Sequence, residues 1–346
     1  ITPGHTATYS SAYKENTRAK TLPLFSYAAC AYYKGSYYVT AVKIDKDIRH
    51  DCRFIDLKLV RKNIPLFRKA LPGNRLVEHL TACALTYGCP NAQNFFLGRF
   101  EAPLPTSPSC NAACAGCISQ QKGTAICASQ PRIKFVPTPE EVSGIALLHI
   151  AHTRNPIVSF GQGCEGEPLL QAGLIEQSIR LIRHQTSKGI IHMNTNGSRT
   201  KEISRLLSAG LNSVRISLNS VQKKYYTRYY RPGGYTFSDV LRSIATAKKM
   251  GAFVSINYLT MPGFTDSKNE FEAMNGLIRK YNVDMIQWRN LNYDPIRYFG
   301  ALDLHVKPAE MAGIKEEINL LRKNFPRLRM GYFNPYDINS RATASR

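Results

Sequence analysis

The sequence predicts an α/β fold: a partial (β/α)6 TIM-like barrel of parallel strands with a small α+β N-terminal region. From residue 95 onward, short apolar runs alternate with amphipathic runs of helical periodicity, and the alternation repeats six times. Several helical runs also begin at capping residues and end at glycine. Six units are too few to close an eight-stranded barrel, so we expect an open barrel. Its functional groups should lie at the carboxyl ends of the strands.

The composition divides the chain into three parts. Residues 1–94 are a basic α+β region, residues 95–325 hold the strand–helix units, and residues 326–346 form a C-terminal strand and tail.

Within the first part, residues 1–23 are polar and aperiodic and should form a mobile or wrapping arm. Two β-rich runs flank Lys34 to Ser36, which predicts a hairpin. The helical spacing that follows residue 56 is interrupted by Pro65. A second helix is expected over 74–87, with Gly88 ending it.

The barrel part is assigned unit by unit. The predicted strands are 95–104, 156–163, 189–197, 213–220, 252–263 and 283–291. The predicted helices are 138–153, 169–185, 200–210, 237–251, 267–282 and 308–325, and a short run at 327–333 follows them. The first helix has the strongest start signal, because Thr138 is a good N-cap, Pro139 suits the first helical position and Glu141 completes a capping box.

Charge and cysteine content narrow the class of protein. Lysine and arginine number 46 against 24 acidic residues, a formal net charge of +22, which indicates affinity for polyanions or acidic partners.

No apolar run is long enough for a membrane span, and the first residues lack a signal-peptide pattern. Because Ile1 is not an initiator residue, we expect the true N-terminus to be missing or trimmed. Nine clustered cysteines, an odd count, favour metal binding in a reducing cytoplasm over a disulfide framework.

Three of these cysteines, Cys110, Cys114 and Cys117, lie within eight residues, with mostly small side chains between them. A disulfide knot, a zinc site and an iron–sulfur cluster are the competing interpretations. Structural zinc needs four ligands, and Cys127 is the available fourth cysteine. Three cysteines can instead hold three irons of a [4Fe–4S] cluster and leave the fourth iron open for a small ligand.

The triplet Cys110-x3-Cys114-x2-Cys117, placed after a first strand and before a βα series, resembles the radical S-adenosylmethionine (SAM) superfamily. The resemblance extends over about residues 95–325. It implies that the three cysteines bind a [4Fe–4S] cluster and that SAM is the second cofactor.

Further matches to this family imply SAM contacts. Gly166 and Glu167 resemble its Gly-Gly-Glu-Pro element, in which the glutamate binds the ammonium of SAM, although Glu165 replaces the first glycine. The resemblance also implies contacts at Asn196 at the end of the third strand, at Ser217 and Arg215 on the fourth, and at Met261 at the end of the fifth. The aromatic residue that commonly precedes the third cysteine is absent, since Gly116 occupies that position.

The chemistry implied by the resemblance is reductive cleavage of SAM to a 5′-deoxyadenosyl radical, which abstracts hydrogen from a substrate. An external electron donor of the flavodoxin or ferredoxin type is then required. The alternative is a cluster-bearing nucleic-acid-binding or regulatory protein without radical turnover. The other cysteines near the motif, Cys83, Cys89 and Cys164, can be inert thiols or ligands of a second cluster.

The substrate expected from the sequence is macromolecular, either RNA or a peptide. The run from Lys223 to Tyr235 interleaves cations with tyrosines, which favours stacking on RNA bases unless the tyrosines pack inward. The hairpin around Gly35 can instead receive a peptide strand.

Overall fold

The computed structural model describes residues 1–14, 16, 18–121, 123, 126–305 and 310–338. The strands are β1 (His5–Ala7), β2 (Cys30–Tyr33), β3 (Ser36–Val39), β4 (Ala41–Lys43), β5 (Glu101–Pro103), β6 (Ile157–Phe160), β7 (Ile190–Thr195), β8 (Ser213–Leu218), β9 (Phe253–Thr260), β10 (Met285–Asn290) and β11 (Arg329–Gly331). The helices are α1 (Leu57–Ala70), α2 (Arg75–Leu85), α3 (Pro90–Phe96), α4 (Pro139–His152), α5 (Ala172–Gln185), α6 (Thr200–Ala209), α7 (Lys223–Tyr230), α8 (Phe237–Lys249), α9 (Lys268–Tyr281), α10 (Pro295–Leu302) and α11 (Ile314–Asn324).

A seven-stranded sheet, β5 to β11, forms the centre of the molecule, and its strands lie side by side in chain order. Every neighbouring pair in it is parallel. Parallel strands in chain order, joined through helices, curl into an open barrel whose carboxyl ends share one rim. The predicted fold class is therefore confirmed, and the short run after the sixth unit supplies a seventh strand.

The core lies on both faces of this sheet. Inward and outward side chains of the central strands are nearly all buried, as expected for a parallel sheet covered by helices. The capping box of α4 is present as predicted, with Thr138 accepting from the Glu141 amide and Glu141 accepting from the Thr138 amide. Among the described residues, no helix has the length and apolarity needed to cross a bilayer.

The N-terminal arm wraps the barrel. Strand β1 pairs with β4, and the Ala7 amide donates to Asn290 Oδ1 at the end of β10. Further along the arm, the Leu22 amide donates to Asp294 and the Ser26 hydroxyl donates to Asn292. These bonds hold residues of the arm beside the carboxyl-end rim of the sheet. The predicted hairpin is present as β2 and β3.

The first predicted strand is wrong over its first half. Residues 90–96 form α3, and β5 covers only Glu101–Pro103. Phe95 and Phe96 are fully buried and pack edge-to-face against Phe67 of α1, so tertiary packing favours the helix over the strand that the apolar run suggested. Pro65 lies inside α1 without ending it. The predicted helix at 308–325 begins at Ile314, and its first two residues, Pro308 and Ala309, lie outside the described part of the chain.

The tyrosine run does not offer its rings to a nucleic acid. Residues 223–230 form α7, and Tyr226, Tyr229, Tyr230 and Tyr235 are buried in the core. The expectation of base stacking on this run is therefore wrong, and the inward-packed alternative is confirmed. The physical reason is that the tyrosines share the apolar face of an amphipathic helix, which must be covered.

Candidate cofactor site

The loop after β5 carries the three clustered cysteines, and α7 holds it in place. The amides of Ala113 and Ala115 donate to the carbonyls of Tyr230 and Tyr229 at the end of α7. The second support is the loop after β6, where the amides of Gly166 and Glu167 donate to the carbonyls of Ser107 and Ser109, at 2.6 and 2.8 Å. The cysteine loop is thus fixed by backbone bonds on two sides.

Cys110, Cys114 and Cys117 lie between two cavities and line both. The first cavity, the cluster cavity, has a volume of about 370 Å³, and its wall includes Ala112, Ala113, Ala115 and Gly233. The second, the central cavity, has a volume of about 360 Å³ and lies at the carboxyl ends of the strands. A group held by the three sulfurs would therefore have one side in each cavity.

The donor set fits an iron–sulfur cluster better than the alternatives. A single metal ion needs ligand atoms that lie close together. Among the described residues, the group of three ligands with donor atoms within 4.8 Å of one another does not include the cysteine triplet. The three sulfurs of the triplet therefore do not converge on a single ion. Cys127 is exposed and does not line either cavity, so it gives no fourth ligand for zinc. All nine cysteines are free thiols, which excludes the disulfide knot.

The three thiols differ in their surroundings. Burial raises the pKa of Cys110 to about 11, and burial together with the neighbouring cysteines raises the pKa of Cys114 well above its usual value. Burial acts in the same direction on Cys117, but hydrogen bonds to Ser119 and the charge of Arg132 outweigh it and lower that pKa. Arg132, whose Nη2 lies 3.5 Å from Cys117 Sγ, was not found from the sequence, because it stands in no motif.

Glu167 lies behind this loop, at the start of a short 3-10 turn, and is 4% exposed. Its carboxylate accepts from the amides of Leu169 and Asn196 and from the hydroxyl of Thr195, at 3.0, 2.8 and 2.5 Å. Burial raises its pKa to about 7. A carboxylate offers about four acceptor sites, so three donors leave room for a cationic partner. That partner would offset the burial of the charge.

Glu165, which stands where the family's element has its first glycine, organises the loop after β6. Its carboxylate accepts from the amides of Thr106, Ser107, Gly161 and Gln162. Four backbone amides that donate to one buried carboxylate fix the conformation of the loop, although the glycine is absent from this position. Sequence reasoning missed this role, because the partners lie on two separate loops.

The other residues expected to contact SAM are partly brought together. The lining of the central cavity includes Gly166, Arg215 and Ser217. Asn196 lines neither cavity, but its side chain donates to Oδ1 of Asn111, which lines the cluster cavity. Met261 lies in the turn after β9, buried in the core and outside the lining of either cavity.

The wall of the central cavity carries buried polar atoms without partners. In the described part of the chain, Arg215 Nε, Asn257 Oδ1 and Tyr230 Oη have no hydrogen-bond partner. Arg215 Nη1 donates to neutral groups, Gln287 at 2.6 Å and Asn334 at 3.4 Å. Burial and the nearby charge of Arg289 lower the Arg215 pKa to about 9. Buried groups of this kind are costly unless a ligand satisfies them.

The missing aromatic residue before the third cysteine has a spatial replacement. A Cβ atom at Gly116 would lie 2.9 Å from the Tyr229 hydroxyl and 3.1 Å from Tyr293 Cβ. Tyr229 and Gly116 both line the central cavity. An aromatic ring therefore stands beside the third cysteine, although it comes from α7.

Comparison with known proteins gives a family for the central part of the chain. Residues 104–274 match the family model of the radical SAM superfamily. A GTP 3′,8-cyclase of Thermodesulfovibrio yellowstonii is 32% identical over 125 residues, covering 36% of this chain and 38% of that protein. A probable GTP 3′,8-cyclase of Thermococcus kodakarensis is 30% identical over 146 residues, covering 41% and 45%. The chain thus spans less than half the length of these relatives.

Solved structures with similar folds include the FeFe-hydrogenase maturase HydG from Carboxydothermus hydrogenoformans, at a TM-score of 0.47 and 15% identity, covering 79% of this chain and 70% of that one. Another is a spore photoproduct lyase with bound AdoMet, at a TM-score of 0.47 and 15% identity, covering 77% and 96%. The radical SAM superfamily uses a [4Fe–4S] cluster and SAM. Through the domain at residues 104–274, with its three cysteines at the carboxyl-end rim of the barrel, the chain belongs to the radical SAM superfamily.

Proposed function

We propose that this chain is a radical SAM enzyme in which Cys110, Cys114 and Cys117 bind three irons of a [4Fe–4S] cluster. The observation that carries the proposal is that the three sulfurs line the cluster cavity and the central cavity at once. When bound and reduced by an external electron donor, the cluster and SAM together supply a 5′-deoxyadenosyl radical that abstracts hydrogen from the substrate.

Residues in the lining of the central cavity, together with Glu167, which lies beside the cysteine loop and outside that lining, would bind and orient SAM. Glu167 would accept from the SAM ammonium, because it is the buried carboxylate with an unused acceptor site beside the cysteine loop. Arg215 would pair with the SAM carboxylate, since it lies in the cavity wall and its hydrogen-bond partners in the described structure, Gln287 and Asn334, are neutral. Ser217, which accepts from Asn257, would bind a SAM hydroxyl. Tyr229 would pack against the adenine in place of the missing aromatic.

The cluster assignment is tested by iron counting after anaerobic reconstitution with iron and sulfide. We expect about four irons per chain in the wild type, and a loss of that iron when Cys110, Cys114 and Cys117 are all changed to alanine. Cys127→Ala is the matched control, because Cys127 is an exposed free thiol, and it should keep the wild-type iron content. Unchanged iron in the triple variant would refute the assignment.

The same preparations decide between an enzyme and a protein that only binds a cluster. With dithionite and SAM, the wild type should form 5′-deoxyadenosine, and the triple variant should form none. A reconstituted wild type that binds SAM and forms no 5′-deoxyadenosine would favour the regulatory alternative.

We further propose a small anionic substrate, a nucleotide in the first instance. Arg132 and Arg289 line the central cavity, and the ion pairs of the described residues include neither of them. Of the two acidic residues in the lining, Glu165 is occupied by backbone amides and Glu101 lies 3.6 Å from Arg49. The cavity volume is in the range of small-molecule sites. The partial similarity to GTP 3′,8-cyclases makes GTP a reasonable probe.

A macromolecular substrate is the second candidate, because the β2–β3 hairpin is strongly exposed. Tyr32, Tyr33, Tyr37 and Tyr38 are 65, 59, 79 and 56% exposed, and exposed rings of this kind suit contact with RNA or a peptide.

Binding measurements with GTP separate these candidates. We expect the reconstituted protein to bind GTP, and Arg289→Gln to weaken binding about 10-fold or more through loss of a charge-assisted hydrogen bond. Arg279→Gln, an exposed cation on α9, should bind GTP like the wild type. Equal GTP affinity in both variants would contradict the anion site. Binding of an RNA oligonucleotide with a steep salt dependence, and no binding of GTP, would favour the macromolecular substrate.

A further inference from the structure

A second cluster of metal-binding side chains lies apart from the cysteine triplet. His79 and Cys83 come from α2, and Cys164 comes from the loop after β6. Their donor atoms all lie within 4.8 Å of one another. None of the three is among the residues that line the central cavity or the cluster cavity. This group is therefore separate from the site of the proposed reaction.

Local structure explains why these side chains converge. His79 and Cys83 are four residues apart on a helix, so they project from the same face. That face of α2 packs toward the barrel, where Cys164 is 3% exposed and Cys83 is 2% exposed. His79 is half-buried, which leaves a route from solvent to the cluster.

The spacing fits one tetrahedral ion. Zinc binds thiolate sulfur at about 2.3 Å and imidazole nitrogen at about 2.0 Å, which places the two donors about 3.5 Å apart at a tetrahedral angle. The distance from Cys83 Sγ to His79 Nε2 is 3.6 Å. Cys83 and Cys164 are both free thiols, so no disulfide competes for the sulfurs in this structure.

A fourth ligand is close at hand. Cys89 lies at the N-terminus of α3, and its amide donates to the Cys83 carbonyl at 2.9 Å. The Cys89 sulfur lies outside the group of donor atoms within 4.8 Å of one another, so its side chain would have to turn on metal binding to complete a Cys3His set, which is a common structural zinc arrangement.

We propose that His79, Cys83 and Cys164 bind one zinc ion, with Cys89 as the fourth ligand. The ion would tie α2 of the N-terminal region to the loop that carries Glu165, Gly166 and Glu167. Zinc binding at this point would stabilise the folded chain and fix the position of that loop, because structural zinc contributes directly to folding free energy. This role does not depend on the proposed radical chemistry.

Metal analysis of the purified protein tests the proposal. After reconstitution and removal of loosely bound metal, we expect one zinc per chain in the wild type. The same zinc should be present in the Cys110, Cys114 and Cys117 triple-alanine variant, which separates this site from the iron–sulfur cluster. His79→Gln and Cys83→Ala should lose zinc, and Cys52→Ala, at an exposed free thiol, should retain it. Zinc absent from the wild type, or present in Cys83→Ala, would overturn the proposal.

Cobalt titration tests the site in the wild-type protein, so the result does not depend on whether the variants fold. Wild-type protein freed of zinc should bind one Co²⁺ and show the sulfur-to-cobalt charge-transfer absorption of thiolate ligands, together with the visible bands of tetrahedral geometry. Binding of Co²⁺ should also raise the thermal midpoint of unfolding. Octahedral bands without charge transfer, iron with sulfide in place of zinc, or a Cys83–Cys164 disulfide found by mass spectrometry would each refute the site.

Discussion

Glu167→Gln is expected to weaken SAM binding about 100-fold, with the fold and the iron content retained. The substitution keeps the shape of the side chain and removes the charge that would pair with the SAM ammonium. Loss of one partner from a buried, hydrogen-bonded ion pair costs about 3 kcal/mol, and each 1.4 kcal/mol is about tenfold in affinity. Equilibrium dialysis of SAM against the reconstituted protein measures the change.

The pH dependence of SAM binding provides a second readout of the same residue. Burial raises the Glu167 pKa to about 7, so below that pH the carboxyl is mostly neutral in the free protein. SAM affinity should therefore rise as pH increases toward 7 and then level off, and binding below pH 7 should release a proton. The stability of the free protein changes with pH in the opposite direction. Because the folded state raises the Glu167 pKa, this residue stabilises the folded state at low pH, and that contribution is lost as pH rises through 7. Glu167→Gln should remove the rise in SAM affinity.

Glu140→Gln is the matched control, because Glu140 is an exposed carboxylate in the first turn of α4. It should bind SAM as the wild type does at every pH. If Glu167→Gln also keeps wild-type affinity and pH profile, another group binds the ammonium and the assignment of Glu167 fails.

Gly166→Ala is expected to disrupt the cysteine loop and lower the iron content of the reconstituted protein. A Cβ atom at this position would overlap the Ser109 carbonyl, which is backbone directly before Cys110. The loop must then move, and the bond from the Gly166 amide to the Ser107 carbonyl is lost with it. Overpacking of this kind costs about 1–3 kcal/mol, which thermal unfolding can measure alongside iron counting.

Gly173→Ala is the control for this substitution. Gly173 lies in the first turn of α5, and nothing lies within 4 Å of a Cβ atom placed there. Alanine should therefore leave the iron content unchanged and raise helix stability by up to about 1 kcal/mol. Equal iron contents in Gly166→Ala and Gly173→Ala would show that the close approach at Ser109 does not position Cys110.

The sheet was predictable because each strand–helix unit carries its own signals. The capping box at Thr138 and Glu141 and the left-handed glycine at Gly210 are local features, and the structure contains both. The secondary-structure prediction was wrong where a short apolar run was compatible with either a strand or a helix. Phe95 and Phe96 fit a strand by pattern, but their contacts with Phe67 place them in a helix.

In the functional site, too, local motifs could be recognised from the sequence, and contacts made through the fold could not. The spacing of Cys110, Cys114 and Cys117 is a local motif, so the superfamily can be inferred from a few neighbouring residues. The roles of Arg132 and Tyr229 could not be found in this way, because Arg132 follows Cys117 in the same segment at no motif spacing and Tyr229 reaches the cysteine loop from α7. Contacts of that kind leave no spacing pattern in a single sequence.

By itself, the sequence determined the parallel α/β barrel and the three thiols at its rim, since periodicity, caps and cysteine spacing act over a few residues. Only the tertiary structure decided that the tyrosines of α7 pack inward and that Glu165 takes the place of a glycine-rich turn. It also decided that His79 and Cys83 meet Cys164. The physical reason is that these features depend on which surfaces are buried against each other, and burial is settled by the whole fold.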